Sequence, residues 1–142
     1  MQVAQRVLLA EANDSLRQQL YAALIDLGVS VDASADGVDA IDKLNNVTYA
    51  VAIIDYALPV VDGEAIIERV RLLPETQRPL MIITAQRGLR LTFDHEIVQV
   101  VMRKPFDLRH VADLIAACVR AMAELGTRRS PLPSNQSETR PC

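Results

Sequence analysis

Cysteine is almost absent from this 142-residue chain, which has only Cys118 and Cys142. Two thiols are too few for a disulfide framework. No apolar run approaches the roughly 18 residues that a membrane span needs. The opening segment Met1-Gln2-Val3-Ala4-Gln5-Arg6 lacks the apolar core of a secretory signal. Excess positive charge is missing too: 15 Lys and Arg stand against 18 Asp and Glu, a net charge of −3. That balance argues against a chain built for nucleic acid or for an anionic membrane. The expectation is a cytoplasmic globular protein. Half of the residues are apolar, and one domain of this length can bury a substantial core.

The most informative stretch is Ala50-Val51-Ala52-Ile53-Ile54-Asp55-Tyr56-Ala57-Leu58-Pro59-Val60-Val61-Asp62-Gly63. A short β-branched apolar run reads as a strand buried on both faces, as in a parallel sheet. Asp55 follows it directly, at the carboxyl edge where open α/β sheets place their sites. The Pro and Gly beyond it mark a loop. A carboxylate between a rigid strand and a loop is a candidate switch.

The rest of the chain supplies the frame. Arg6–Ala10 reads as a first strand, and Asn13 or Asp14 can cap the helix after it. That helix carries Leu16, Leu20, Ala23, Leu24 and Leu27 at spacings of three and four, and Gly28 closes it. Val29 to Ala33 reads as a second strand, Asp36-Gly37 as a turn, and Val38, Ile41 and Leu44 as the face of a short helix. Glu64 to Leu73 reads as a helix stopped by Pro74, Leu80 to Thr84 as a fourth strand, and Val98 to Met102 as a fifth. A last helix from about Asp107 aligns Leu108, Val111, Ile115, Cys118 and Met122. Cys118 on that stripe reads as a plain buried thiol. From Gly126 the composition turns to Ser, Pro, Thr, Asn and Arg, which cannot bury enough surface to order itself. Strands alternating with helices imply right-handed crossovers and a parallel sheet covered on both faces. Only 85–97 resists the pattern, because Leu89, Leu91 and Phe93 alternate and Gly88 and Asp94-His95 interrupt. It reads as a short, irregular helix or a loop.

Four strand ends then carry Glu11, Asp55, Thr84 and Lys104, the last followed by Pro105-Phe106. In this order the chain resembles response-regulator receiver domains of two-component signalling, over roughly residues 5 to 124. The resemblance implies a doubly wound, five-stranded α/β fold with strand order 2-1-3-4-5, a receiver domain over 1–125 and a flexible polar tail over 126–142. It implies that Asp55 accepts a phosphoryl group, that Thr84 contacts a phosphoryl oxygen, and that Lys104 pairs with Asp55 or the phosphoryl group. It also makes Pro105 a candidate for a cis bond. Mg²⁺ would be held by Asp55, the Ala57 carbonyl and Glu11. Ala12 stands where the family's second acid belongs, so that site would be weakened, and Asp14 falls at a position better suited to capping. The family's switch pairs Thr84 with an aromatic residue at the position of Val101, and valine cannot reproduce that rotamer change.

The implied function is a single-domain receiver that takes phosphate from a histidine kinase or phosphotransfer protein and switches contact with a protein target. It would be a monomer or weak dimer, engaging neither nucleic acid nor membrane, since nothing after residue 125 could form a helix-turn-helix. The alternative is a pseudo-receiver that acts by phosphorylation-independent protein contact. An aspartyl-phosphate phosphatase is disfavoured, because Asp55-Tyr56-Ala57 lacks the second acid of Asp-x-Asp. Enzymatic activity would extend at most to self-phosphorylation and self-dephosphorylation at Asp55.

Overall fold

The computed structural model describes residues 5–129, with side chains through 125. Five strands build one parallel sheet: β1 (Arg6–Ala10), β2 (Ser30–Ser34), β3 (Val51–Asp55), β4 (Leu80–Gln86) and β5 (Val100–Lys104). Their spatial order is β2-β1-β3-β4-β5, as expected. Four helices accompany them: α1 (Asp14–Asp26), α2 (Gly37–Asn46), α3 (Gly63–Arg71) and α4 (Leu108–Arg129).

Alternation along the strands divides the core into two layers. Val7, Leu9, Ile53 and Ile82 face α1 and α4, where they meet Leu20, Leu24, Val111 and Ile115. Leu8, Ala52, Ile54 and Ile83 face α2 and α3, where they meet Leu44, Ile66, Ile67 and Val70. Every residue of β3 is buried. Burying each large aliphatic side chain contributes about 1.5–3 kcal/mol. Together they outweigh the several kcal/mol it costs to bury one carboxylate at the strand's end. The core therefore fixes Asp55.

Local chemistry explains the boundaries. Asn13 caps α1, accepting the Leu16 N–H at 2.9 Å. Asp14 is the first helical residue and pairs with Arg17 at 2.7 Å instead of capping. Leu27 is the exposed cap residue of that helix, not part of its buried stripe. Gly28 follows at φ 80°, the left-handed conformation that glycine adopts without a Cβ penalty. Asp36 caps α2 by accepting the Asp39 N–H, so Gly37 opens a helix where a turn was expected. Asp62 caps α3 in the same way through Ala65.

The segment between β4 and β5 contains no helix, only turns and irregular chain. Gly88 takes φ 94°. The Asp94 carbonyl accepts the Ile97 and Val98 N–H groups, and its carboxylate accepts that of Glu96. These local bonds satisfy the backbone without a helical ladder. Ile97 and Val98 are buried beneath α3's layer, so β5 begins two residues later than the apolar run suggested. At the other end α4 runs through Arg129, past the boundary expected at 125. A helix already nucleated extends at little cost per residue. Cys118 is half-buried against the α1/α4 layer, and burial raises its thiol pKa. The rest of the expected tail, 130–142, lies outside the described residues.

Candidate functional site

Side-chain parity assembles the site. Glu11 lies two residues after Leu9, Asp55 after Ile53, Thr84 after Ile82 and Lys104 after Met102, all of which face α1 and α4. The four therefore project to the same side of the sheet, at the carboxyl ends of four neighbouring strands. Asp55 and Thr84 are also direct register partners. The Lys104–Pro105 peptide bond is cis.

Burial makes this cluster chemically unusual. Glu11 is 3% exposed, Asp55 5% and Thr84 2%. The Lys104 ammonium lies 2.9 Å from Glu11 Oε1, 3.1 Å from Oε2 and 3.4 Å from Asp55 Oδ2. Backbone donors complete the carboxylates: Ala57 N–H reaches Asp55 Oδ1 at 3.0 Å, Ala12 N–H reaches Oδ2 at 3.4 Å, and Asn13 N–H reaches Glu11 Oε2 at 3.0 Å. Burial pushes the Glu11 carboxyl above its ordinary pKa; the Asn13 N–H and Lys104 oppose the rise, and nearby Asp55 adds to it. Among buried side-chain polar atoms of the described residues, Thr84 Oγ1 alone has no hydrogen-bond partner. A buried hydroxyl left unpaired costs about 1–3 kcal/mol. It is a free donor in register with Asp55 of the anionic cluster.

The donor set does not fit a full Mg²⁺ site. Mg²⁺ requires six oxygens in near-octahedral geometry. Among the described residues, the two carboxylates paired with Lys104 are those of Glu11 and Asp55. Ala12 contributes a methyl group and an N–H, and no group of three acids, histidines or cysteines gathers among the described residues. Glu11, expected as a metal ligand, is the carboxylate nearest the Lys104 ammonium.

The loop after Asp55 is tightly held. Gly63 N–H donates to the Tyr56 carbonyl at 2.9 Å, and a Cβ at Gly63 would stand 2.7 Å from Tyr56 Cα. Val60 takes φ 70°, uncommon for a β-branched residue, and Val61 N–H reaches the Pro59 carbonyl at 2.8 Å. This is the strained γ-turn. Tyr56 is a junction. Its N–H donates to the Thr84 carbonyl at 2.8 Å, its hydroxyl reaches Glu64 at 3.4 Å, and its ring meets Phe93 edge-on at 6.0 Å. Val101 is 40% exposed. Sequence reasoning missed the Tyr56–Phe93 contact. The alternating apolar residues of 89–93 were its only signal, and they do not name a partner.

Comparison with known proteins agrees with this geometry. The family model for the response regulator receiver domain matches residues 7–116. The transcriptional regulatory protein TctD of Salmonella typhimurium is 32% identical over 125 residues, covering 83% of this chain and 53% of TctD. The virulence transcriptional regulatory protein PhoP of the same species is 31% identical over 138 residues, covering 92% and 59%. The chain thus spans little more than half the length of these curated relatives. Among solved structures, the receiver domain of sensor histidine kinase PA1611 from Pseudomonas aeruginosa, described with magnesium in its active-site cleft, superposes with TM-score 0.69 at 24% identity, covering 82% of this chain and 98% of that one. The chemotaxis response regulator CheY4 of Vibrio cholerae gives 0.69 at 22%, covering 81% and 98%. With its strand order, its acidic strand-end cluster and the family match in agreement, this chain belongs to the response regulator receiver family.

Proposed function

We propose that Asp55 accepts a phosphoryl group from the phosphohistidine of a histidine kinase or phosphotransfer protein, and that the modified domain changes its contact with a protein target. In the transfer an Asp55 carboxylate oxygen attacks phosphorus and the P–N bond breaks. The imidazole nitrogen keeps the electron pair and takes up a proton. The carrying observation is the unpaired Thr84 hydroxyl in register with Asp55. Phosphorylation adds about −1.5 to −2 of charge beside it. The hydroxyl gains the acceptor it lacks, and the chain after Thr84 moves with it. Enzymatic turnover of another substrate is no part of this role.

One observation favours the second reading, a phosphorylation-independent interaction module. Lys104 already pairs with both Asp55 and Glu11 from within the chain. The two readings separate on charging the protein with acetyl phosphate and following amide hydrogen exchange. The receiver reading expects altered protection over 84–99 in the modified protein, and none in Thr84→Ala. Unchanged exchange in a protein that carries the adduct would leave the modification without a switch and favour the second reading.

A further inference from the structure

We propose that Asp55 is phosphorylated without a divalent metal ion, with the Lys104 ammonium supplying the positive charge that the reaction requires. This rests on Asp55 being the acceptor. Three features of the site carry it.

The first is who holds the carboxylates. One ammonium reaches both Glu11 oxygens, at 2.9 and 3.1 Å, and Asp55 Oδ2 at 3.4 Å. A divalent ion would have to displace that compact cation from both partners, with water filling most of its other positions. The second is charge. Two carboxylates and one ammonium leave the cluster at −1. An acid at position 12 would make it −2, and Ala12 supplies a neutral N–H toward Asp55 Oδ2 instead. The repulsion that a metal would offset is thereby reduced within the chain. The third is the Thr84 hydroxyl, fully buried and unpaired. With Lys104 it gives two donors for phosphoryl oxygens, and neither needs an ion to orient it. The ligand class is a phosphoryl dianion on nitrogen or on an acyl oxygen. With acetyl phosphate, an Asp55 oxygen forms the new O–P bond while the P–O bond to the acetyl group breaks and acetate departs with the electron pair.

The test compares adduct formation by intact mass with acetyl phosphate, in excess Mg²⁺ and in excess EDTA. Equal rates within about twofold are expected, whereas a site that uses a metal as Lewis acid loses roughly 100-fold or more on chelation. Calorimetric titration of Mg²⁺ into the unmodified protein gives an independent reading. The wild type should show no saturable heat, and Ala12→Asp should gain it, with circular dichroism confirming the fold of the variant. If Ala12→Asp does not fold, the wild-type titration and chelation comparison still decide. An adduct that forms only with Mg²⁺, or saturable Mg²⁺ binding by the wild type, overturns metal independence and leaves Asp55 as the acceptor. No adduct under either condition, nor with a phosphorylated histidine donor, overturns the acceptor reading, and this inference with it.

Discussion

Lys104 and Glu11 are 93 residues apart in the chain, yet the ammonium and carboxylate meet at 2.9 Å in a buried cluster. The pair fastens the end of β5 to the end of β1 across the two strands between them. Removing one member of a buried pair leaves the other charge uncompensated.

Lys104→Met should therefore destabilise the fold by about 2 kcal/mol near neutral pH, below the roughly 3–5 kcal/mol of a fully buried broken pair because protons can be taken up instead. The pH dependence has a definite sign. Burial already raises the folded pKa of Glu11. A group raised on folding contributes its stability when protonated, and loses it as pH rises through the folded value. Without the ammonium the rise is larger, so the loss in Lys104→Met should shrink as the medium is acidified from about pH 7.5 to about pH 5.5. Urea unfolding at the two pH values checks this, and a loss that grows on acidification would contradict it.

Val60→Gly should stabilise the protein. A β-branched residue at positive φ costs about 1–2 kcal/mol, and glycine gives back part of that relief through its freer unfolded chain. The side chain is 83% exposed, so its removal opens no cavity. A net gain of about 0.5–1 kcal/mol should raise Tm by about 3 °C in a domain of this size. Thermal unfolding by circular dichroism measures it.

Phe93→Ala should loosen the chain between β4 and β5. An aromatic pair such as Tyr56–Phe93 contributes about 0.5–1.5 kcal/mol beyond its area burial. Amide exchange over 87–99 should speed several-fold, while β1 and β3 keep their protection. Equal acceleration across the sheet would mean that the contact supports the global fold and not this segment.

Asp32 should govern part of the acid limb of stability. Arg6 donates to it at 2.6 and 3.1 Å, and the buried Tyr49 hydroxyl at 2.8 Å. The Arg6 hydrogen bond is the largest cause holding the Asp32 carboxyl below its ordinary pKa. A lowered folded value contributes stability above the ordinary aspartate range, and that stability is lost as pH falls through the folded value. Arg6 is about half exposed, which limits the effect to about 1 kcal/mol. Asp32→Asn should lose that amount at neutral pH and match the wild type once both side chains are uncharged. Denaturant unfolding across the acid range tests it.

The strand ends were legible because each rule behind them is local. Ile53-Ile54 must be buried on two faces, so Asp55 had to stand at a sheet edge, and the same holds for Ile82-Ile83 before Thr84. The parallel sheet followed from alternation with helices, and its strand order from the resemblance to receiver domains. What the sequence concealed was long-range or entropic. Nothing near Phe93 names Tyr56 as its partner, and nothing near Val60 announces a positive φ. The Asp94 side chain and carbonyl satisfy the N–H groups of Glu96, Ile97 and Val98 without a helix, and Leu27 fell on a stripe that ends one turn earlier. Glu11 was recognised as part of the acidic site. Its pairing with Lys104, 93 residues away, is visible only in the assembled cluster.

The most direct test of the account is intact-mass analysis after incubation with acetyl phosphate, on the wild type and on Asp55→Asn. The account predicts a gain of one phosphoryl mass on the wild type, reversed by hydroxylamine as an acyl phosphate should be, and no gain on Asp55→Asn. An adduct of equal yield on both proteins would contradict it, and so would a wild type that stays unmodified even with a phosphorylated histidine donor.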